Sequence, residues 1–146
     1  MISYADDTAI VFFGETWDLV REYVIAGINK IKHWLDSFKL SLNISKSNYI
    51  AFSLTAVNRP LYNSIHINGL DSELAEVNCT KYLGIYIDKH LKWDEHVLRL
   101  SKNIRKLIHK FYTLREILNR QLLITVYKAI VESLLRYGVI VWGGLY

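Results

Sequence analysis

The sequence predicts an α+β fold, and three observations carry that expectation. Strand-like apolar stretches flank "ADDT" at the start of the chain, a strongly amphipathic segment follows them, and strand patterns give way near Lys92 to further helical spacing. With 146 residues, 51% of them hydrophobic and 22% charged, the chain can bury a substantial core. It divides on this reading into a mixed part, residues 1–92, and an all-helical part, residues 93–146.

Ile2 to Tyr4 and Ala9 to Phe13 are β-branched, aromatic or small, so they read as two strands of a hairpin with Asp6 and Asp7 at its turn. Neither run alternates cleanly, which predicts that part of the hairpin is buried on both faces. Thr16 is placed to cap a helix, with Asp18 in the first turn where the helix dipole favours a negative charge. Val20, Tyr23, Val24, Ile28, Ile31, Trp34, Leu35 and Phe38 then recur on one helical face from Thr16 to Phe38. The polar loop "SLNISKSN" leads into a strand over Tyr49 to Leu54. Asn68-Gly69 tolerates positive φ at both positions and predicts a two-residue hairpin turn, and "TKYLGIYID" reads as a further strand. Val97, Leu100, Ile104, Leu107, Ile108, Phe111 and Leu114 predict a helix from about Asp94 to Leu118, and another follows from about Arg120 to Tyr137.

Several classes drop out on composition. A single Cys79 excludes an intrachain disulfide and a cysteine-based zinc site, which suits a reducing, intracellular setting, nuclear or cytoplasmic. The apolar "AIVFF" follows two aspartates and is too short for a secretory leader. Lys128, Glu132 and Arg136 put a charged stripe at i, i+4 and i+8 through the most apolar segment, so a core-packed helix with one wet face is expected there and not a membrane span.

Two constellations point to chemistry. A "DD" pair at a turn most often faces water, but carboxylates at the tip of a hairpin in apolar surroundings also suit Mg²⁺, a hard cation that keeps waters and binds substrate phosphates. Two-metal polymerase sites need such a carboxylate and at least one more from elsewhere. The second constellation is basic: Arg99, Lys102, Arg105, Lys106, Lys110, Arg115 and Arg120 face the single acid Glu116 between Val97 and Arg120, whereas the whole chain is only +4. A merely solvated helix face would mix its signs, so phosphate contact is the better reading. Lys46 by itself is a surface charge. His90, Asp94 and His96 match no standard zinc set, and His96 beside Trp93 reads as structural. Tyr82, Tyr86 and Trp93 read as core aromatics ahead of base-stacking ones.

Taken in order, "YADD", the amphipathic helix, "FKLSLNISKSNYIAF", "KYLGIYIDKHLKWDEHV" and "LITVYKAIVESLLRYGVIVWG" resemble the C-terminal part of a non-LTR retrotransposon reverse transcriptase, most like the jockey-type elements. The resemblance spans nearly the whole chain. It implies a partial polymerase palm of hairpin, helix and antiparallel strands, followed by an all-helical thumb-like region.

By that resemblance Tyr4-Ala5-Asp6-Asp7 matches the palm's catalytic motif, with Asp6 and Asp7 as metal-binding carboxylates and Tyr4 beside the nucleic acid. Leu42, Asn43, Lys46 and Ser47 match the next palm motif, whose lysine lies near the incoming nucleotide's phosphates. Tyr82, Leu83 and Gly84 match the primer-gripping hairpin, and the basic helix carrying Arg99, Lys102, Arg105, Lys106 and Lys110 matches the thumb. The implied partners are an RNA template, a DNA primer and deoxynucleotide triphosphates, with two Mg²⁺ ions and no membrane; oligomeric state is not implied. The family's other metal-binding Asp and its fingers have no counterpart in these 146 residues. The segment is therefore expected to be inactive by itself, the alternative being a non-catalytic nucleic-acid-binding remnant. Missing neighbours would also leave Trp17, Trp34 and Phe38 exposed.

Overall fold

The computed structural model describes residues 1–5, 7–53, 60, 64–67 and 73–145. Asp6 and the Asn68-Gly69 turn lie outside the described residues. The architecture is mixed α and β, as expected, and the chain divides into two compact units, Met1–Leu83 and Gly84–Tyr146. The division falls ahead of the change of pattern at Lys92 because the strand before the long basic helix packs against that helix.

The first unit opens with β1 (Ile2–Tyr4) and β2 (Asp7–Ala9), paired antiparallel with Tyr4 opposite Asp7. The Ser3 and Thr8 hydroxyls hydrogen-bond across the pair at 3.1 Å. The second strand stops at Ala9 and does not run to Phe13, and the expectation of burial on both faces fails: Tyr4 is 68% and Phe13 85% exposed. Among the described residues this sheet has only its two strands, and an isolated hairpin has no layer to cover either face. The chain beyond it is anchored by Phe12, whose ring lies where a Cβ on Gly27 would stand, 2.6 Å from Cε1 and Cζ. That close approach is why a glycine sits in the middle of a helix.

That helix, α1 (Trp17–Ser37), begins as predicted. Thr16 Oγ1 accepts from the Leu19 N–H at 3.3 Å, and Asp18 occupies the first turn. It ends in a Schellman arrangement, with the Leu40 N–H donating to Leu35 C=O and the Lys39 N–H to Asp36 C=O, and with Lys39 at φ 58° where glycine is usual. Its Val24, Ile25 and Ile28 pack on the buried core of Ile65, Ile67 and Leu74, together with Leu42, Ile44 and Tyr49. Trp34 and Phe38 are exposed at 58% and 61%, as foreseen, and form a tilted pair with centroids 5.0 Å apart. Trp17 is half-buried, contrary to expectation.

The core sits on three short strands, β3 (Asn48–Tyr49), β4 (Ser64–His66) and β5 (Glu73–Glu76), in the order β3-β5-β4. β4 and β5 are antiparallel, with Ser64 opposite Ala75 and His66 opposite Glu73. β3 differs twice from the sequence reading: it ends at Tyr49, and it pairs with β5 in parallel. Its alternation could specify a face but not a partner. β6 (Cys79–Tyr82) closes the unit. "TKYLGIYID" is thus two strands and not one, because Leu83 (φ 45°) and Gly84 (φ 83°) both take the left-handed region of a two-residue turn.

The second unit contains β7 (Ile85–Asp88), α2 (Asp94–Ile117), α3 (Arg120–Tyr127), a π-helical turn (Lys128–Glu132), α4 (Ser133–Arg136) and α5 (Val139–Trp142). The predicted helix over 120–137 is therefore real but widened at its centre. Leu123, Tyr127, Val131 and Leu135 are spaced by four, which an ideal helix of 3.6 residues per turn would rotate out of line; the wider π turn keeps them facing α2. With Ile104, Ile108, Phe111, Tyr112 and Arg115 they line an apolar groove of about 500 Å³, in which Phe111 meets Tyr127 edge-on at 6.3 Å. Arg136 pairs with Glu132 across one turn, the charged stripe seen in the sequence. Among the described residues no helix is long and apolar enough to cross a membrane.

Candidate functional site

The candidate carboxylates come from the first unit. Asp7 opens β2, opposite Tyr4, after a turn in which Ala5 takes φ 53°. Asp7 and Tyr4 are both exposed, so the carboxylate and the ring stand at the surface of the hairpin end. Asp6 is outside the described residues. Among the described residues no three of His, Cys, Asp and Glu gather as a metal site. A hard, exposed carboxylate oxygen nevertheless has the donor chemistry that Mg²⁺ takes, and such an ion needs only one or two protein carboxylates beside waters and phosphates.

Lys46 belongs to the same unit and ends a 3₁₀ turn over Ile44–Lys46. Asn43 builds that turn: its Oδ1 accepts from the Ser45 hydroxyl at 2.7 Å, while its C=O accepts the Ser47 hydroxyl at 2.8 Å and the Lys46 N–H at 3.3 Å. Asn and Ser thus compete with regular structure for the backbone, and the product is a tight corner with the Lys46 side chain in solvent. Leu42 points back into the core. Among the described residues no ion pair joins Lys46 to Asp7.

The Tyr82 hydroxyl is buried with no hydrogen-bond partner among the described residues. Leu83 is half-buried and Gly84 exposed. A Cβ on Gly84 would lie 3.2 Å from Tyr137 Cε1, so its positive φ and its close neighbour both favour glycine.

In the second unit, α2 divides its residues cleanly. Leu100, Ile104, Leu107, Phe111 and Leu114 are half-buried on one face. Arg99, Lys102, Lys106 and Lys110, spaced i, i+3, i+7 and i+11, share an exposed face about 115° around the helix from it. Arg105 lies to one side, where it lines a shallow cleft of about 300 Å³ with Asp94, Ser101 and Lys102. Arg99 differs from its neighbours. It is ion-paired with Glu95 one turn earlier, and its guanidinium lies over the Tyr86 ring at 4.3 Å from the centroid. The Glu95 hydrogen bond leads the effects that raise its pKa above the ordinary value. Lys102, Lys106 and Lys110 have no ion-pair partner among the described residues.

The start of α2 is held to β7 by Asp88 and His96. Asp88 Oδ1 accepts the His90 and Lys92 N–H groups at 3.0 and 3.1 Å, and its Oδ2 accepts the Trp93 N–H at 2.7 Å. Burial pushes this carboxyl up, but the backbone hydrogen bonds together outweigh it and hold the group below the usual carboxylate range. His96 is buried, accepts the Tyr86 N–H on Nδ1 at 3.4 Å and meets the Trp142 ring at 5.4 Å. Burial lowers its pKa, which favours the neutral ring, and the Tyr86 N–H on Nδ1 puts the ring proton on Nε2. The Nε2 of His96 and the Nε1 of Trp93 are buried without hydrogen-bond partners among the described residues. His96 and Trp93 are thus structural, as the sequence suggested. Of the residues missed, only Glu95 carried a legible signal, a Glu four before an Arg.

No family model matches the chain, and no solved structure matches it. Curated relatives do. The chain is 25% identical over 146 residues to "Probable RNA-directed DNA polymerase from transposon X-element" of Drosophila melanogaster, 98% of this chain being covered. It is 29% identical over 148 residues to "RNA-directed DNA polymerase from mobile element jockey" of Drosophila funebris, and 26% over 149 residues to "Probable RNA-directed DNA polymerase from transposon BS" of Drosophila melanogaster. It spans only 15–16% of the length of these relatives. Along nearly its whole length, then, the chain resembles one segment of the RNA-directed DNA polymerases of the jockey, X-element and BS non-LTR retrotransposons.

Proposed function

We propose that these 146 residues are the closing palm and thumb segment of a reverse transcriptase that extends a primer 3′-OH on an RNA template. The observation that carries the reading is the match to RNA-directed DNA polymerases over 97–98% of the chain. Two features support it. Asp7 and Lys46 belong to one unit and keep their charged ends in solvent, where a nucleotide's phosphates can reach them. α2 presents Lys102, Lys106 and Lys110 along one uncompensated face, the footprint of a phosphate-backbone contact.

In this reading Asp6 and Asp7 hold Mg²⁺, with the remaining ligands supplied by a carboxylate from another part of the polymerase, by waters and by nucleotide phosphates. The metal pair supplies charge stabilisation for the phosphoryl transfer. Lys46 holds the triphosphate and can return a proton to the departing pyrophosphate. Tyr4 borders the primer end, Tyr82, Leu83 and Gly84 form the primer grip, and Arg99, Lys102, Arg105, Lys106 and Lys110 hold the template–primer duplex. The 146 residues alone lack a full ligand set and are inactive in isolation. A non-catalytic nucleic-acid-binding role is the second reading, favoured by the basic face of α2, which needs no metal.

Primer extension on an RNA template with Mg²⁺ separates the two. The chain is mixed with a separately expressed fragment of a jockey polymerase carrying the fingers and the earlier palm strand. Synthesis in the mixture that is lost with Asp6→Ala supports the polymerase reading. A mixture that associates and binds the template–primer but makes no DNA leaves the binding role.

A further inference from the structure

We propose that Asp88 is a positioning residue: its carboxylate fixes the direction in which α2 leaves β7 and so aims Lys102, Lys106 and Lys110 at a nucleic-acid backbone. The inference rests on the reading of α2 as a nucleic-acid face. It begins from the backbone of the link between Asp88 and Asp94, which contains no glycine yet takes positive φ at Leu91 (53°) and at Trp93 (63°). L-residues avoid that region, so two such positions in so short a link persist only where surrounding contacts enforce them.

Asp88 supplies the contacts. One carboxylate satisfies three backbone donors of the link, His90 and Lys92 on Oδ1 and Trp93 on Oδ2, and the Asp88 C=O accepts the Leu91 N–H at 3.0 Å. The last of the three bonds matters most for direction. Trp93 is 6% exposed, and its C=O accepts the first helical N–H of α2, from Val97, at 2.9 Å. Fixing Trp93 therefore fixes the axis of α2 at its origin. The same strand grips the next turns, through the Tyr86 N–H on His96 and the Tyr86 ring under Arg99. The free lysines begin immediately beyond this clasp, at Lys102. An Asp is the side chain that fits: Asn offers one acceptor oxygen in place of two, and its amide N–H₂ would confront the Trp93 N–H.

The test uses the 146-residue chain and its Asp88→Ala and Asp88→Asn variants, with two readouts. Amide exchange by NMR reports the clasp: the wild type protects His90, Lys92 and Trp93, Asp88→Ala exposes all three, and Asp88→Asn exposes Trp93 while sparing the other two. Fluorescence anisotropy with a labelled RNA–DNA hybrid reports the aim. Asp88→Ala removes no positive charge, yet it should flatten the salt dependence by one phosphate contact or more and weaken binding about eightfold per contact at 0.1 M salt. Asp88→Asn should fall between, and it carries the test if the alanine variant does not fold. A wild type that binds while both variants keep its affinity and salt slope overturns the proposal alone. A wild type that does not bind the hybrid overturns the nucleic-acid reading and this proposal with it.

Discussion

Replacing Lys102, Lys106 and Lys110 together by Ala should abolish most of the affinity for nucleic acid, and the size of the loss follows from their geometry. The three share one exposed face of a single helix and have no ion-pair partner among the described residues, so no ion pair there competes for them. Each lysine that replaces a phosphate counterion contributes about 0.9 to the slope of log affinity against log salt, so three contribute about 2.7. At 0.1 M salt, relative to 1 M, that slope corresponds to roughly five-hundredfold in affinity, and raising salt from about 50 to about 200 mM should weaken these contacts about fortyfold. Arg99→Ala should cost less than one such contact, because Glu95 already compensates Arg99 and Tyr86 already stacks on it. The assay is fluorescence anisotropy with a labelled RNA–DNA hybrid across a salt series. A triple variant with an unchanged slope would refute the assignment of this face, as would an Arg99→Ala effect larger than that of Lys106→Ala.

Other outcomes follow from the packing. Gly138→Ala should destabilise the chain by about 2–3 kcal/mol in urea unfolding, since φ is 64° there and the new methyl would overlap the Ile85 δ-methyl; a loss under about 0.5 kcal/mol would show that this corner is not formed. Lys39→Gly should stabilise by about 1 kcal/mol, because Lys39 holds the left-handed position of the Schellman end of α1 at φ 58°. His96 titrates below its ordinary 6.5 because burial disfavours its charged form. A group so depressed binds its proton more weakly in the folded state than in the unfolded one, so its contribution is complete above pH 6.5 and is lost as pH falls below that value. The thermal midpoint should therefore drop from pH 7 to pH 5 more steeply in the wild type than in His96→Gln, and parallel profiles would contradict the buried, neutral imidazole.

What the sequence made legible was local. Thr16, Asp18 and the apolar spacing located α1 within a residue, and the one-sided charge of Arg99 to Lys110 located the face of α2, because caps and helical periodicity are decided within a turn or two of chain. What failed was relational. Burial of β1 and β2 depends on which layers reach them, and the parallel pairing of β3 depends on which edge is free; neither is written in an apolar run of a few residues. The π turn was hidden because spacing by four reads as helix whether the turn is α or π. Asp88 was missed for the opposite reason, a structural carboxylate looking like any polar loop residue until its three donors are seen. The carboxylates of "YADD" were visible as a motif of four consecutive residues.

The measurement that bears most directly on the account is a replacement. Residues 1–146 are substituted for the matching segment of a jockey polymerase, and RNA-templated DNA synthesis is measured with Mg²⁺. The account predicts synthesis by the chimera, its loss with Asp6→Ala, and weakened use of the template–primer with the triple lysine variant. A chimera that folds and binds the template–primer yet makes no DNA would contradict it.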